Sequence, residues 1–388
     1  VAGVGVAGVG VAGVGVQADT GVAEPVWLPI KPDVDVAYVP DHTSGPSITA
    51  AAAILFENTT GTVLYGREEH RPRAPASITK VMTALLALEQ GRLSDTVTVS
   101  KKAASIRGSS AYLHTGQKIL LEDLLYAMLL RSGNDAAYAV AEHIGGNIDN
   151  FLEMMNTRAR ELGAGRTHFA NPHGLDAPGH YSTAFDLAMI SRVALLYNKF
   201  AEIVGTIHYT YEEGGVVWKN TNRLLWSYAG AEGIKTGTTG QAGNCLAAAA
   251  TRDGRQLITV VLGSRNRWND SVKLLEYGFD RFRLVTVAKE GEALAVIRPA
   301  GSREPLTLVP ESDIKVIVKT SLPGVISTRL QLENIKLPVH RRQRLGICEV
   351  FVDGVKAADI PLIAAAPLGR PTLWQRLLGW FTPGTDAP

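Results

Sequence analysis

Pro75-Ala76-Ser77-Ile78-Thr79-Lys80 is the stretch from which the rest of the chain can be read. From Ser77 onward, Ile78, Val81, Met82, Leu85 and Leu86 keep the i, i+3, i+4, i+7, i+8 spacing of a helix face turned toward a core. Pro75 just ahead is a helix-start signal. Residues three apart at such a start lie one turn apart on the same side, so the Ser77 hydroxyl and the Lys80 amine project together. The helix N-terminus adds unpaired N–H groups and the positive dipole end near the serine. By itself the spacing says little, because Ser-x-x-Lys arises by chance about once in a chain this long. Ser312-Asp313-Ile314-Lys315 is indeed a second copy. That copy falls in a strand-like run, where residues i and i+3 point to opposite faces.

Two further motifs follow the first copy in order, each occurring once: Ser132-Gly133-Asn134 and Lys235-Thr236-Gly237. The three sit at a helix start, in a loop after an apolar helix, and in a strand. This triple set resembles that of the penicillin-recognising serine enzymes. The chain resembles a low-molecular-mass penicillin-binding protein of the serine-type D-alanyl-D-alanine carboxypeptidase family. The similarity runs from about Ala51 to Phe282 and includes Leu130-Arg131-Ser132-Gly133-Asn134-Asp135-Ala136-Ala137, Asn171-Pro172-His173-Gly174-Leu175 and Gly233-Ile234-Lys235-Thr236-Gly237. The segments after Phe282 resemble the family more loosely.

Acyl transfer needs a nucleophile, a base and an oxyanion site, and the resemblance implies where each lies. Ser77 is the expected nucleophile, and Lys80 its base, provided the amine is neutral at the moment of attack. Lys235 is brought into the same cleft, where a second ammonium and burial lower the amine's pKa. Ser132 relays the proton to the leaving amine, and Asn134 holds the substrate amide through its donor and acceptor. Backbone N–H groups of Ser77 and Thr238 form the oxyanion hole, and Gly237 lets the substrate strand approach closely. Lys235, Thr236 and an arginine after the last strand receive the terminal carboxylate. Arg267 matches that arginine better than Arg265, although a shorter loop leaves both open.

The implied reaction is removal of the terminal D-alanine from peptidoglycan stem pentapeptides through an acyl-enzyme on Ser77. β-Lactam antibiotics are then covalent inhibitors, and no cofactor or metal is called for. The alternatives are a D,D-endopeptidase or a β-lactamase-like hydrolase on the same fold. A class A β-lactamase needs a carboxylate to activate the deacylating water. No Glu occurs between Glu161 and Glu202, and Gly133 stands where that class carries Asp. A non-catalytic wall-binding relative would be expected to have lost Ser77 or Lys80, and both are present.

Composition agrees with a folded enzyme. The 388 residues exceed one ordinary core, and 46% apolar with 20% charged residues is globular composition. Lys+Arg 39 against Asp+Glu 37 leaves a net charge of +2, so no basic field points to a nucleic-acid partner. Cys245 and Cys348 lie too far apart for a disulfide framework or zinc site. His168, His173 and His180 fall in a Gly-Pro loop without helical i, i+4 pairing and read as hydrogen-bonded loop histidines.

The expected fold class is α/β, a penicillin-recognising transpeptidase/β-lactamase-like domain followed by a small β-rich domain. In detail, residues 1–18 read as an export signal, with an elastin-like repeat as the alternative, and 19–46 as a proline-interrupted lead-in. Residues 47–284 form the penicillin-binding catalytic domain. A hairpin of Ala51–Phe56 and Thr62–Tyr65 opens it, turning at Asn58-Thr59-Thr60-Gly61. Helices are expected at Leu121–Leu130, Asp135–His143, Ile148–Leu162, Thr183–Leu196 and Ser271–Phe282, and strands at Ile234–Gly237, Asn244–Thr251 and Gln256–Leu262. Strands at both ends with helices between imply a sheet assembled from distant segments. Residues 285–368 form the β-rich domain, with strands at Ile314–Val318 and Cys348–Val352. Residues 369–388 read as an amphipathic helix with Leu373, Trp374, Leu377, Leu378 and Phe381 on one face. That face implies peripheral membrane contact through 371–382, on an exported protein at the outer face of the cytoplasmic membrane, periplasm or cell-wall space; docking on its own protein is the alternative.

Overall fold

The computed structural model describes residues 45–302, 304–321 and 324–369. The expected export segment, nearly all of the lead-in and the C-terminal amphipathic helix lie outside the described residues. Contacts group residues 45–284 with 317–321 in one unit, and 285–316 with 324–369 in a second.

The first unit is built on a five-stranded antiparallel sheet in the order Val63–Arg67, Ala52–Glu57, Arg255–Ser264, Gly243–Arg252, Ala231–Thr239. Ala52 pairs with Leu262 and Glu57 with Leu257, so the N-terminal hairpin is closed by strands from the far end of the unit. Side chains alternate across the pleat. Ile54, Phe56, Ala247, Ala249, Ile258 and Val260 enter one core, and Ala53, Leu55, Ala248, Ala250, Leu257 and Val261 enter another. This two-sided burial explains why these strands read as continuous apolar runs rather than alternating ones.

The larger core is shared with the helices. The helix Lys80–Gln90 contributes Leu85, and Leu121–Leu130 is buried at every residue except Glu122. Asn134–Gly145, Ile148–Glu161 and Ala184–Leu195 add Val140, Phe151 and Leu187. Thr183 caps the last of these by accepting from the Asp186 N–H at 3.0 Å. The second core is covered by the helix Arg267–Arg281 through Leu274 and Leu275. This helix begins four residues before the expected Ser271. Its cap is Asn266, whose side chain accepts from Asn269 N, and a single asparagine among polar neighbours gives little warning in sequence.

Several elements were not expected: a short pair Thr96–Thr98 with Lys118–Leu120, the helix Asn198–Gly205, and a hairpin of His208–Tyr211 with Val216–Lys219. The hairpin is held by stacking of Tyr211 and Tyr209 on Trp218. In the second unit a five-stranded antiparallel sheet runs Ala295–Ile297, Leu306–Pro310, Val355–Ala364, Arg344–Val352, Ile326–Leu332. Among the described residues no helix is long and apolar enough to cross a membrane.

Candidate active site

Ser77 sits on a single 3-10 turn, Ala76–Thr79, immediately ahead of the helix Lys80–Gln90. In a 3-10 turn positions i and i+3 eclipse, which brings Lys80 over Ser77 more directly than an α-helical start would. Lys80 Nζ lies 2.9 Å from Ser77 Oγ. The turn is packed from two sides. Gly237 of the edge strand comes so close that a Cβ there would lie 2.9 Å from Ala76 Cβ and 3.0 Å from Ser77 N. Gly174, at φ +91, would place a Cβ 1.9 Å from Ala76 O. Asn171-Pro172-His173-Gly174-Leu175 thus wraps the serine turn, and Thr83 donates to Pro172 O at 2.6 Å to fix it there.

Lys80 is fully buried, and its Nζ has two other oxygen partners, Asn134 Oδ1 at 2.7 Å and His173 O at 2.6 Å. Asn134 Nδ2 donates to Arg107 O at 2.8 Å, which fixes the amide orientation and leaves Oδ1 toward Lys80. A neutral amine has two N–H donors and one lone pair. Two oxygens that can only accept and one hydroxyl that can donate match it. Electrostatics point the same way: burial first, and the Lys235 charge second, hold the Lys80 amine well below its usual range, with Asp135 opposing.

Lys235, in the edge strand Ala231–Thr239, is also buried, and its Nζ has no hydrogen-bond partner among the described residues. Burial, with Arg267 adding to it, lowers its pKa to about 7. Thr236 Oγ1 lies 2.7 Å from Thr221 Oγ1. Arg267, the first residue of its helix, donates through Nη1 to Gly237 O at 2.8 Å and Thr238 Oγ1 at 2.9 Å. Arg265 is exposed and makes no such contact with the strand. Ser132 lies in the loop between two helices, buried and in the left-handed region at φ +64.

The three motifs are therefore carried on one turn, one loop and one strand edge of the same unit. The site also recruits groups that sequence reasoning missed. His173 serves Lys80 through its backbone carbonyl, a role that no side-chain pattern announces. Asp135 is buried and accepts from Ser110 Oγ and from the N–H groups of Ala111 and Leu113, fastening the 110–113 loop beside Asn134. Both ends of the Asn134 amide are engaged, Oδ1 by Lys80 and Nδ2 with Arg107 O, which leaves the second Nδ2 hydrogen to meet a substrate.

The three loop histidines have protein partners. His180 accepts from Ala170 N at Nδ1 and meets Thr79 Oγ1 through Nε2 at 2.9 Å, while burial pushes its pKa down to about 4. His173 Nδ1 accepts from Leu175 N, and His168 Nδ1 lies 2.7 Å from Gly179 O. The second Ser-x-x-Lys copy has none of this setting. Its Lys315 pairs with Asp313 at 3.2 Å.

An antiparallel sheet with helices on both faces and a serine–lysine pair against its edge strand is the fold of the penicillin-recognising serine enzymes. The family model described as D-alanyl-D-alanine carboxypeptidase matches residues 40–266, and that of the penicillin-binding protein 5 C-terminal domain matches 282–368. The chain belongs to the D-alanyl-D-alanine carboxypeptidase family. It is 34% identical over 358 residues to D-alanyl-D-alanine carboxypeptidase DacF of Bacillus subtilis, covering 88% of this chain and 92% of the relative. It is 32% identical to DacD of Escherichia coli, covering 88% and 93%. Penicillin-binding protein 5 from Haemophilus influenzae superimposes with a TM-score of 0.76 at 31% identity, over 84% of this chain and all of that one. The Streptomyces K15 DD-transpeptidase superimposes with a TM-score of 0.58 at 37% identity, over 61% and 99%. The chain is accordingly a serine-type D-Ala-D-Ala carboxypeptidase, and a β-lactamase-like or endopeptidase alternative is not favoured. Arg267 lies one residue beyond the catalytic family match, so its assignment rests on the contacts above.

Proposed function

We propose that Ser77 is the acylated residue and that the substrate is a peptidoglycan stem pentapeptide ending in D-Ala-D-Ala. The observation that carries this is the partner set of Lys80: two obligate acceptors and the Ser77 hydroxyl around a buried amine. In acylation the Ser77 Oγ attacks the carbonyl carbon of the penultimate D-alanine, and its proton passes to Lys80 Nζ. The carbonyl oxygen gains charge against the N–H groups of Ser77 and Thr238. The C–N bond then breaks, and the proton held by Lys80 reaches the leaving D-alanine nitrogen through Ser132. Water later attacks the ester, Lys80 taking its proton, and Ser77 is released.

Lys235 supplies the counter-charge for the free terminal carboxylate, together with Thr236 and Arg267. A buried ammonium without a partner is unfavourable until an anion arrives, which makes the carboxylate a requirement as well as a contact. Asn134 Nδ2 holds the substrate carbonyl on the opposite side. A bicyclic β-lactam presents the same carbonyl and carboxylate, and acylates Ser77 without rapid release.

The protein is exported and works on the outer face of the cytoplasmic membrane, in the periplasm or in the cell-wall space, where such peptides occur. Residues 371–382, where Leu373, Trp374, Leu377, Leu378 and Phe381 recur at helical spacing in the sequence, tether it to the membrane surface. Two assays test the proposal. Protein starting after Ala18, incubated with a pentapeptide ending in D-Ala-D-Ala, should release free D-alanine; its absence would refute the substrate. Removing 371–388 should free the protein from anionic liposomes at low salt while D-alanine release from soluble peptide continues. Failure of the longer protein to co-sediment would remove the tether.

A further inference from the structure

In the second unit the point where the chain leads toward its proposed tether is bonded to the chain just ahead of its most basic turn. Val339 N donates to Leu368 O at 2.8 Å, and Leu368 N donates to Val339 O at 2.9 Å. Both residues are buried, in one apolar cluster with Leu306, Leu308 and Leu345. The pair is antiparallel, so the chain past Leu368 runs back along Pro338 and Lys336, while His340-Arg341-Arg342-Gln343-Arg344 lies on the other side. Three residues of chain span at most about 11 Å, so residue 371 lies within that distance of Leu368, and Lys336 within the same distance of Val339. Exposed cations thus flank the exit on both sides.

Charge in these two stretches is one-sided. From Asn334 to Cys348, and again from Ile360 to Thr385, the sequence has no Asp or Glu, yet the stretches hold Lys336, Arg341, Arg342, Arg344, Arg370 and Arg376. In a chain with Lys+Arg 39 against Asp+Glu 37, that is a strong local excess. Arg342 is offset by Glu290 at 3.2 Å. Lys336, Arg341 and Arg344 are exposed, and no carboxylate oxygen lies within 4.0 Å of their side-chain nitrogens among the described residues.

The turn is also held in shape. Gln343 N donates to His340 O at 3.1 Å, and His340 N donates to Gln343 Oε1 at 2.9 Å. Arg342 N donates to Ala364 O at 2.9 Å, and Ala364 N to Gln343 O at 3.0 Å. A fixed turn presents its charges without an ordering cost on binding. A single short apolar segment holds a membrane only marginally, and a basic patch beside it supplies the second attraction that stable attachment needs.

We propose that Lys336, Arg341 and Arg344 form a docking surface for anionic lipid headgroups, so that the second unit itself meets the membrane beside the C-terminal segment. The inference rests on the tether reading above for the choice of a membrane over a soluble polyanion.

The test measures co-sedimentation of the full chain with phosphatidylcholine vesicles, with and without phosphatidylglycerol, for wild type and Arg341→Gln/Arg344→Gln. Each Lys or Arg near an anionic surface contributes about 5-fold, so the double variant should bind phosphatidylglycerol vesicles about 25-fold more weakly at low salt. The gap should close as salt rises, and on pure phosphatidylcholine the two proteins should bind alike. Arg341→Lys/Arg344→Lys, which keeps the charge, should bind like wild type. Equal binding of wild type and the glutamine variant to phosphatidylglycerol vesicles overturns the proposal. Should that variant disturb the turn, as read by its melting curve, Lys336→Glu lies outside it and should weaken binding by about 10-fold or more; unchanged binding overturns the proposal equally. Arginine-dependent binding to soluble polyphosphate that is tighter, per phosphate, than binding to the vesicles also overturns it, since the partner is then not a lipid surface. Leu377→Glu/Leu378→Glu separates the tether: if that variant binds like wild type while the glutamine variant does not, the tether reading falls and the docking surface stands.

Discussion

A Cβ on Gly174 would fall 1.9 Å from the carbonyl oxygen of Ala76, so the loop that carries His173 and the turn that carries Ser77 touch backbone to backbone. Because the contact is between main chains, neither side can yield by rotating a side chain. The same loop presents His173 O to Lys80 at 2.6 Å. Ser77, Lys80 and the carbonyl that accepts from Lys80 are thus set by one close approach.

Gly174→Ala should therefore injure catalysis more than stability. Positive φ and overpacking together cost about 1–3 kcal/mol. In a unit of this size that corresponds to a melting point lower by roughly 2–10 °C. Displacement of the serine turn should slow β-lactam acylation by about 100-fold, because misplacement on the order of 1 Å suffices for that. Melting curves and stopped-flow acylation check both figures. Wild-type acylation in the folded variant would show that the turn does not depend on this contact.

Intact-protein mass spectrometry with a penicillin should show one added drug mass. Ser77→Ala should lose the adduct, and Ser312→Ala should keep it, since Lys315 is engaged in an ion pair with Asp313. An adduct surviving in Ser77→Ala contradicts the assignment.

The two buried lysines make opposite demands on pH. Burial first and Lys235 second hold the Lys80 amine well below its usual range, which suits the proposed role of base, so Lys80→Ala should lower acylation by about 10²–10⁴ or more. In the proposed mechanism Lys235 is the cation, and with a pKa of about 7 its capture of a free carboxylate should weaken as pH rises past that value. KM for a free-acid peptide should therefore climb above pH about 7, and an amidated peptide should lack that limb. The sign for stability is opposite to capture. Lys235 binds fewer protons folded than unfolded between about 7 and 10.5, so stability should increase with pH across that window. Lys235→Met should flatten the rise, as read by melting temperature against pH; an unchanged slope would mean that Lys235 is charged in the folded protein.

Arg267→Ala should raise KM for free-acid peptides by about 10-fold or more, because a charge-assisted contact is lost together with the bonds that align Gly237 and Thr238. Arg265→Ala, at an exposed position, should stay within about twofold of wild type. Reversed effects would reopen the choice between the two arginines.

The sequence revealed the reactive groups more fully than their supports. Ser77, Lys80, Ser132, Asn134, Lys235 and Thr236 carry distinctive side chains in short ordered motifs, and such motifs survive in linear text. His173 acts through a carbonyl, Asp135 through a loop that it caps, and Thr221 through a threonine pair, and no local pattern distinguishes these from ordinary residues. Element ends were missed where a cap was a lone polar residue, as at Asn266. The hairpin from His208 to Lys219 escaped notice because aromatic stacking across it replaces apolar alternation along it.

By itself the sequence determined which groups could do chemistry and most of the longer strands and helices, because periodicity and motif spacing are local properties of a chain. Tertiary structure alone lowered the pKa of Lys80, since that depends on burial and on Lys235, which joins it from the far end of the unit. It alone turned Asn134 Oδ1 toward Lys80 and set Arg267, rather than Arg265, against Gly237 and Thr238. Each of these depends on distances between segments far apart in the chain, and such distances are set only when the sheet closes between Ala52 and Leu262.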